Sequence, residues 1–140
     1  MKYFYLEPEV SGGLGDDTIM DTGVHPPAVA RLHYEFDGWL GDVIVTSFPC
    51  YLVTEDVKAK ILTAGFSGAT FDKVEVTTSE LFEEMQPDVE LPPFVWLKVD
   101  GRAGHDDFGL AEDHRLVVSE RVLDALRPLG ISHALKHVAF

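Results

Sequence analysis

The sequence predicts an α+β domain: a mainly antiparallel sheet with two related helices and one shorter helix packed on it. Three observations point there. Short alternating or apolar runs, bounded by Gly, Pro and Asp, read as strands. Three hydroxyl residues, each followed by acids and then by apolar residues at helical spacing, read as helix starts. One strand–helix–strand unit is written twice. The 140 residues, 46% of them hydrophobic, suit a single domain spanning 1–140 with its own core.

The elements follow in order. Residues 2–6 read as a first strand. Pro8 and the run Gly12-Gly13-Leu14-Gly15-Asp16-Asp17 open a loop that extends to Pro26-Pro27. Residues 31–46 read as a hairpin about Asp37-Gly38, a strong two-residue turn signal. Residues 50–53 form a short apolar strand. Thr54 caps a helix whose Val57, Ile61 and Leu62 share a face, with Glu55 and Asp56 at the positive end of its dipole and Gly65 as its stop. Residues 71–76 alternate as one strand. Thr78 or Ser79 caps a short helix through Leu81, Phe82 and Met85, ended before Pro87. Residues 94–99 are the most apolar strand. A polar loop covers 102–114, and 116–118 return as a strand. Ser119 caps a third helix with Val122, Leu123 and Leu126, ended by Pro128 and Gly130, and a last strand lies within 131–140.

The repeat joins residues 52–69 to 117–134 at an offset of 65. Valines 53 and 118, glutamates 55 and 120, valines 57 and 122, glycines 65 and 130, serines 67 and 132 and alanines 69 and 134 are identical. Capping chemistry requires the hydroxyl, the glutamate and the glycine. It does not require the valines, the serine or the alanine, so duplication accounts for them better. A duplicated unit implies scaffold, because a single active site is seldom written twice.

Composition narrows the function. The net charge is −13. Such a chain repels phosphate backbones and anionic membrane surfaces, which excludes nucleic acid and membrane as expected partners. It attracts a basic protein. No apolar run approaches the ~20 residues of a membrane span. The single Cys50 and the lack of a signal-like leader lead us to expect a reducing cytoplasm. Acids crowd residues 80–113, at Glu80, Glu83, Glu84, Asp88, Glu90, Asp100, Asp106, Asp107, Glu112 and Asp113, against Lys98 and Arg102. Loops and short elements on a rigid scaffold are where recognition sits.

No catalytic constellation, cofactor motif or metal signature emerges. The glycine run at 12–15 lacks the Lys-Ser/Thr of a phosphate loop and reads as a flexible turn. Cys50 follows Pro49 in an apolar context and reads as a small core residue. His25, His33, His133 and His137 are scattered and read as structural or exposed. The cluster His105, Asp106, Asp107, Asp113 and His114 has metal-compatible residue types, but its spacing matches no known signature. A solvated acidic loop is the simpler reading.

The chain resembles the immunity proteins of bacterial polymorphic toxin systems, a family first catalogued as a domain of unknown function. The likeness lies mainly in the C-terminal half: Phe71-Asp72-Lys73-Val74-Glu75-Val76, Leu91-Pro92-Pro93-Phe94-Val95-Trp96-Leu97, Asp106-Asp107-Phe108-Gly109, Leu116-Val117-Val118-Ser119-Glu120-Arg121-Val122-Leu123 and Gly130-Ile131-Ser132-His133-Ala134. The resemblance implies a bacterial cytoplasmic antitoxin, not an enzyme, that binds one cognate toxin domain and covers its active or target-binding surface. Charge then places the contact on Glu83, Glu84 and Asp88 and on His105, Asp106, Asp107, Phe108, Glu112 and Asp113, facing a basic toxin. Two alternatives stay open. One is a metal-dependent hydrolase using His105, Asp107 and His114. The other is an interaction or homodimeric structural domain with no toxin involved.

Overall fold

A computed structural model describes residues 2–139. Along the chain lie β1 (Tyr3–Glu7), β2 (Gly12–Leu14), β3 (Ile19–Asp21), β4 (Ala28–Arg31), β5 (His33–Phe36), β6 (Ile44–Ser47), β7 (Cys50–Thr54), α1 (Glu55–Ala64), β8 (Ala69–Asp72), β9 (Glu75–Thr78), α2 (Glu80–Met85), β10 (Phe94–Val99), β11 (Phe108–Leu110), β12 (Leu116–Ser119), α3 (Glu120–Leu126) and β13 (Leu135–Val138). Two four-stranded antiparallel sheets, β6-β7-β10-β8 and β11-β12-β1-β13, carry the fold. A three-stranded sheet, β2-β5-β9, and a β3-β4 ribbon complete it. The α+β class is the one expected; the strands named above pair antiparallel, except β5 with β9.

The two large sheets are the same arrangement built twice. Thr54 faces Phe94, and Ser119 faces Tyr3. Leu52 faces Trp96, and Val117 faces Tyr5. Across the central strand, Trp96 faces Asp72 and Tyr5 faces His137. At the other edge, Ile44 faces Val53 and Phe108 faces Val118. The central strand follows its helix in one unit (β10) and precedes it in the other (β1). Even the junctions repeat: Glu55 N–H donates to Pro93 and Glu120 N–H to Lys2, both at 3.0 Å.

Each helix begins the same way. Thr54 and Ser119 are extended at φ −70° and −72°, and their hydroxyls accept from Val57 and Val122 N–H. Gly65 ends α1 in the left-handed region at φ 70°, a conformation costly for other residues. α3 is shorter, 7 residues against 10. Pro128 stands where α1 has Thr63 and lacks the N–H another turn needs. The caps differ in one respect: Ser119 Oγ also donates to Asp107 Oδ1 at 2.7 Å. Thr54→Ala should therefore cost about 1 kcal/mol, and Ser119→Ala about 2 kcal/mol, because a buried carboxylate loses a donor as well. Urea unfolding of the two variants checks this; equal costs would mean the second bond contributes nothing.

One face of each large sheet closes with both long helices around a shared core. Ile44, Val53, Val57, Ile61 and Leu97 meet Phe108, Val118, Val122, Leu126 and Leu6 there. The opposite face of the β6-β7-β10-β8 sheet carries Val45, Leu52, Phe94 and Trp96. It packs on Tyr34 and Phe36 of β5 and on Phe82 of α2, forming a second core.

Four local expectations are corrected. Residues 31–46 are not a hairpin. β5 pairs with β2 and β9, whereas β6 pairs with β7. The N–H groups of Asp37 and Gly38 donate to Ser11 O instead of closing a turn. Residues 71–76 are split: β8 joins β10, and β9 crosses to run parallel to β5. The glycine run is not a flexible turn. Gly12 and Gly13 lie in β2, and a Cβ on Gly12 would fall 1.9 Å from Glu35 O. Finally, the 102–114 loop contains a strand, β11, at the edge of its sheet.

Candidate functional site

The acidic loop after β10 consumes most of its own charge. Asp106 accepts from Arg102 N–H at 2.7 Å, and this backbone bond holds its carboxyl below the usual range. Asp113 is held down by the backbone N–H of Arg115 and then by the guanidinium, whose Nε donates at 2.6 Å. Asp107 is buried, 3% exposed, and takes bidentate bonds from Arg121 at 2.6 Å with further bonds from Ser119 Oγ and Ser67 N–H. Burial pushes its carboxyl up, but the hydrogen bonds outweigh burial and bring it down to about 2. Arg121 also lies over the Phe66 ring, 5.4 Å from its centroid.

The expected contact set therefore loses two members. Asp107 is an internal clamp, and Phe108 is fully buried in the first core. Neither can meet a partner. His105, Glu112 and Asp113 stay exposed and Asp106 is half-buried. The alternative metal set also comes apart. Among the described residues, His105, Asp107 and His114 are in no group of three possible ligands within 4.8 Å. His114 instead packs edge-on against His25, ring centroids 5.5 Å apart. Cys50 is a core residue as read, 2% exposed, and burial pushes its thiol up to about 12.

The acidic helix is different. Ser79 caps α2, and only Phe82 turns inward, into the second core. Glu83 accepts from the Thr78 hydroxyl. Glu84 and Asp88 are exposed, and among the described residues neither forms an ion pair. Leu81 and Met85, four apart and so on one side of the helix, are 53% and 71% exposed. The helix holds 6 residues. Leu81, Phe82 and Met85 fall within one arc of roughly 100° on the helix, yet only the Phe82 edge of that arc meets the core.

A groove continues from the end of α2. Gln86 donates to Trp39 O at 2.9 Å and accepts from Trp39 N–H at 2.6 Å, tying α2 to the 37–42 segment. Val10, Asp37, Trp39, Leu40 and Gln86 line a shallow depression of about 340 Å³. Val10 is 70% exposed and Leu40 64%. Val10 and Leu40 thus share this depression with Asp37, and Leu81 and Met85 share α2 with Glu84. Sequence reasoning found the acids of α2 but not this apolar centre. The signal available was two apolar residues, Leu81 and Met85, set among Glu80, Glu83 and Glu84 on so short a helix.

Comparison with family models, with curated proteins and with solved structures finds no match. Among the described residues, no helix is long and apolar enough to cross a membrane.

Proposed function

We propose that this chain is a protein-binding antitoxin that neutralises a basic toxin domain in the cytoplasm of a bacterium, as an immunity protein does. The observation that carries this reading is the surface around α2: Leu81, Met85, Leu40 and Val10 exposed beside Glu84, Asp88 and Asp37. An apolar centre with a charged rim is the anatomy of a specific protein interface. A stable complex buries about 800 Å² per partner, roughly a tenth of the 7557 Å² surface. α2 alone, at 6 residues, is too small for that, so the reading requires the adjoining groove to take part. The acidic rim steers a basic partner. The mechanism is occlusion: a preformed face sits over the toxin's active or target-binding surface.

Affinity capture from the native cells with the tagged chain, read by mass spectrometry, tests this. Recovery of one basic domain, stoichiometric and released by salt, supports it. On that partner, Leu40→Ala and Met85→Ala should each weaken binding about 10- to 30-fold. Glu84→Lys should slow association and flatten its salt dependence. Unchanged affinity in all three variants would remove the contact from this face. Recovery of the chain alone, as a dimer, would favour the homodimeric reading, for which the exposed Leu135 and Val138 on edge strand β13 are the argument.

A further inference from the structure

The duplicated halves are locked by a reciprocal pair of buried aspartates. Asp107, just before β11, accepts from Ser67 in the loop after α1. Asp42, before β6 and 1% exposed, accepts from His133 in the loop after α3. The two sites differ in charge. Asp107 is matched by Arg121. The residue at Arg121's place in the other unit is Asp56, and Asp42 instead faces a second buried carboxylate, Glu9.

Glu9 is 8% exposed and reaches this place because the chain leaving β1 crosses to bridge Val45. Its Oε2 is taken by Leu40 N–H at 2.8 Å and by the Ser11 hydroxyl. Its Oε1 is buried and, among the described residues, has no hydrogen-bond partner. Donor atoms of Glu9, Asp42 and His133 lie within 4.8 Å of one another. Asp42 Oδ1 sits 2.9 Å from His133 Nδ1, while Oδ2 keeps the His133 backbone N–H at 3.0 Å.

We propose that Glu9, Asp42 and His133 form a Zn²⁺ site that fastens the two halves, supplying the positive charge that Arg121 supplies at Asp107. Two carboxylate oxygens and one imidazole nitrogen form a zinc donor set with one position left for water. Tetrahedral zinc spaces its ligands about 3.3 Å apart, so modest adjustment of the His133 ring and the Glu9 carboxylate is enough. The bonds from Leu40 and Ser11 orient Glu9 from behind, as outer-sphere partners do. The other candidate cluster, Asp17, His33 and Glu75, does not offer the same. His33 Nδ1 accepts from Asp17 N–H at 3.2 Å, and Nε2 meets Thr77 Oγ1 at 2.7 Å, so both ring nitrogens are engaged.

The test is calorimetric titration of Zn²⁺ into the tag-free, chelator-treated full chain, with thermal unfolding alongside. One Zn²⁺ per chain is expected, with a rise in midpoint of about 5 °C at saturation. Glu9→Gln and His133→Ala should each weaken binding at least ~100-fold and abolish the thermal shift. His114→Ala should change neither. The metal-free Glu9→Gln protein should unfold no earlier than the metal-free parent, since the second buried charge is gone; that comparison separates loss of a ligand from loss of the fold. Weak binding spread over several sites, or stoichiometric binding unmoved by Glu9→Gln and His133→Ala, would overturn the site.

Discussion

Asp107→Ala is expected to destabilise the fold by about 3 kcal/mol in urea unfolding at pH 7. Removing the carboxylate leaves the Ser119 hydroxyl and the Ser67 N–H without their acceptor in a closed place, at about 1–3 kcal/mol for each unsatisfied donor. Arg121 contributes little to the loss, because its side chain is 55% exposed and can turn to water. The pH dependence gives an independent reading. The folded carboxyl lies at about 2, below its ordinary value of 3.8. A depressed carboxyl stabilises the folded state fully above the unfolded value and loses that advantage as pH falls toward the folded one. The parent should therefore forfeit about 2 kcal/mol between pH 4 and 2 that Asp107→Ala does not have to lose. Many acids titrate in that window, so the measured quantity is the difference between the two proteins at each pH. Curves that stay parallel down to pH 2 would show that the bonds from Arg121, Ser119 and Ser67 together do not hold the carboxyl down in the folded state.

The same residue shows how far the sequence could be read. Asp107 stands out in a run of acids, but its partners lie 14 residues away at Arg121 and 40 away at Ser67. No local pattern joins them. The helix starts were legible because Thr54, Ser79 and Ser119 act within one turn of themselves. The duplication was legible because the second copy keeps both the capping residues and the valines behind them, and the register of the two sheets repeats it strand for strand. The hairpin failed for the opposite reason. Asp37-Gly38 is a good turn pair, but Tyr34 and Phe36 are 0% exposed because β5 lies across the face of the β7-β10 sheet, not beside its edge. Which of those two geometries wins depends on apolar surface supplied by Leu52, Phe94 and Trp96, and a strand's own alternation does not carry that information. The acids of α2 could be counted from the sequence; that Leu81 and Met85 stand outside them depends on Phe82 alone reaching the second core.

That dependence makes Phe36→Ala the other large effect, about 4 kcal/mol. The Phe36 ring is buried between Tyr34 and Phe94, with centroids 4.6 and 5.2 Å away, so truncation opens a cavity and breaks two aromatic contacts. None of these residues belongs to the first core. It keeps both large sheets and both long helices, so the damage should fall unevenly. The bonds from Ser79 N–H to Phe36 O and from Gln86 N–H to Phe82 O frame α2 at 2.9 and 2.8 Å. Hydrogen exchange should show these amides opening about 10³-fold more readily, with Val122 to Leu126 affected much less. Phe36→Leu, which fills most of the space, should recover the larger part of the protection. If α2 presents the binding face, Phe36→Ala should also weaken the captured partner although it touches nothing outside the fold, and Phe36→Leu should restore that binding. Equal acceleration at α2 and α3 would mean that the two cores open as one unit, and that the position of Leu81 and Met85 is set by the whole domain and not by the second core.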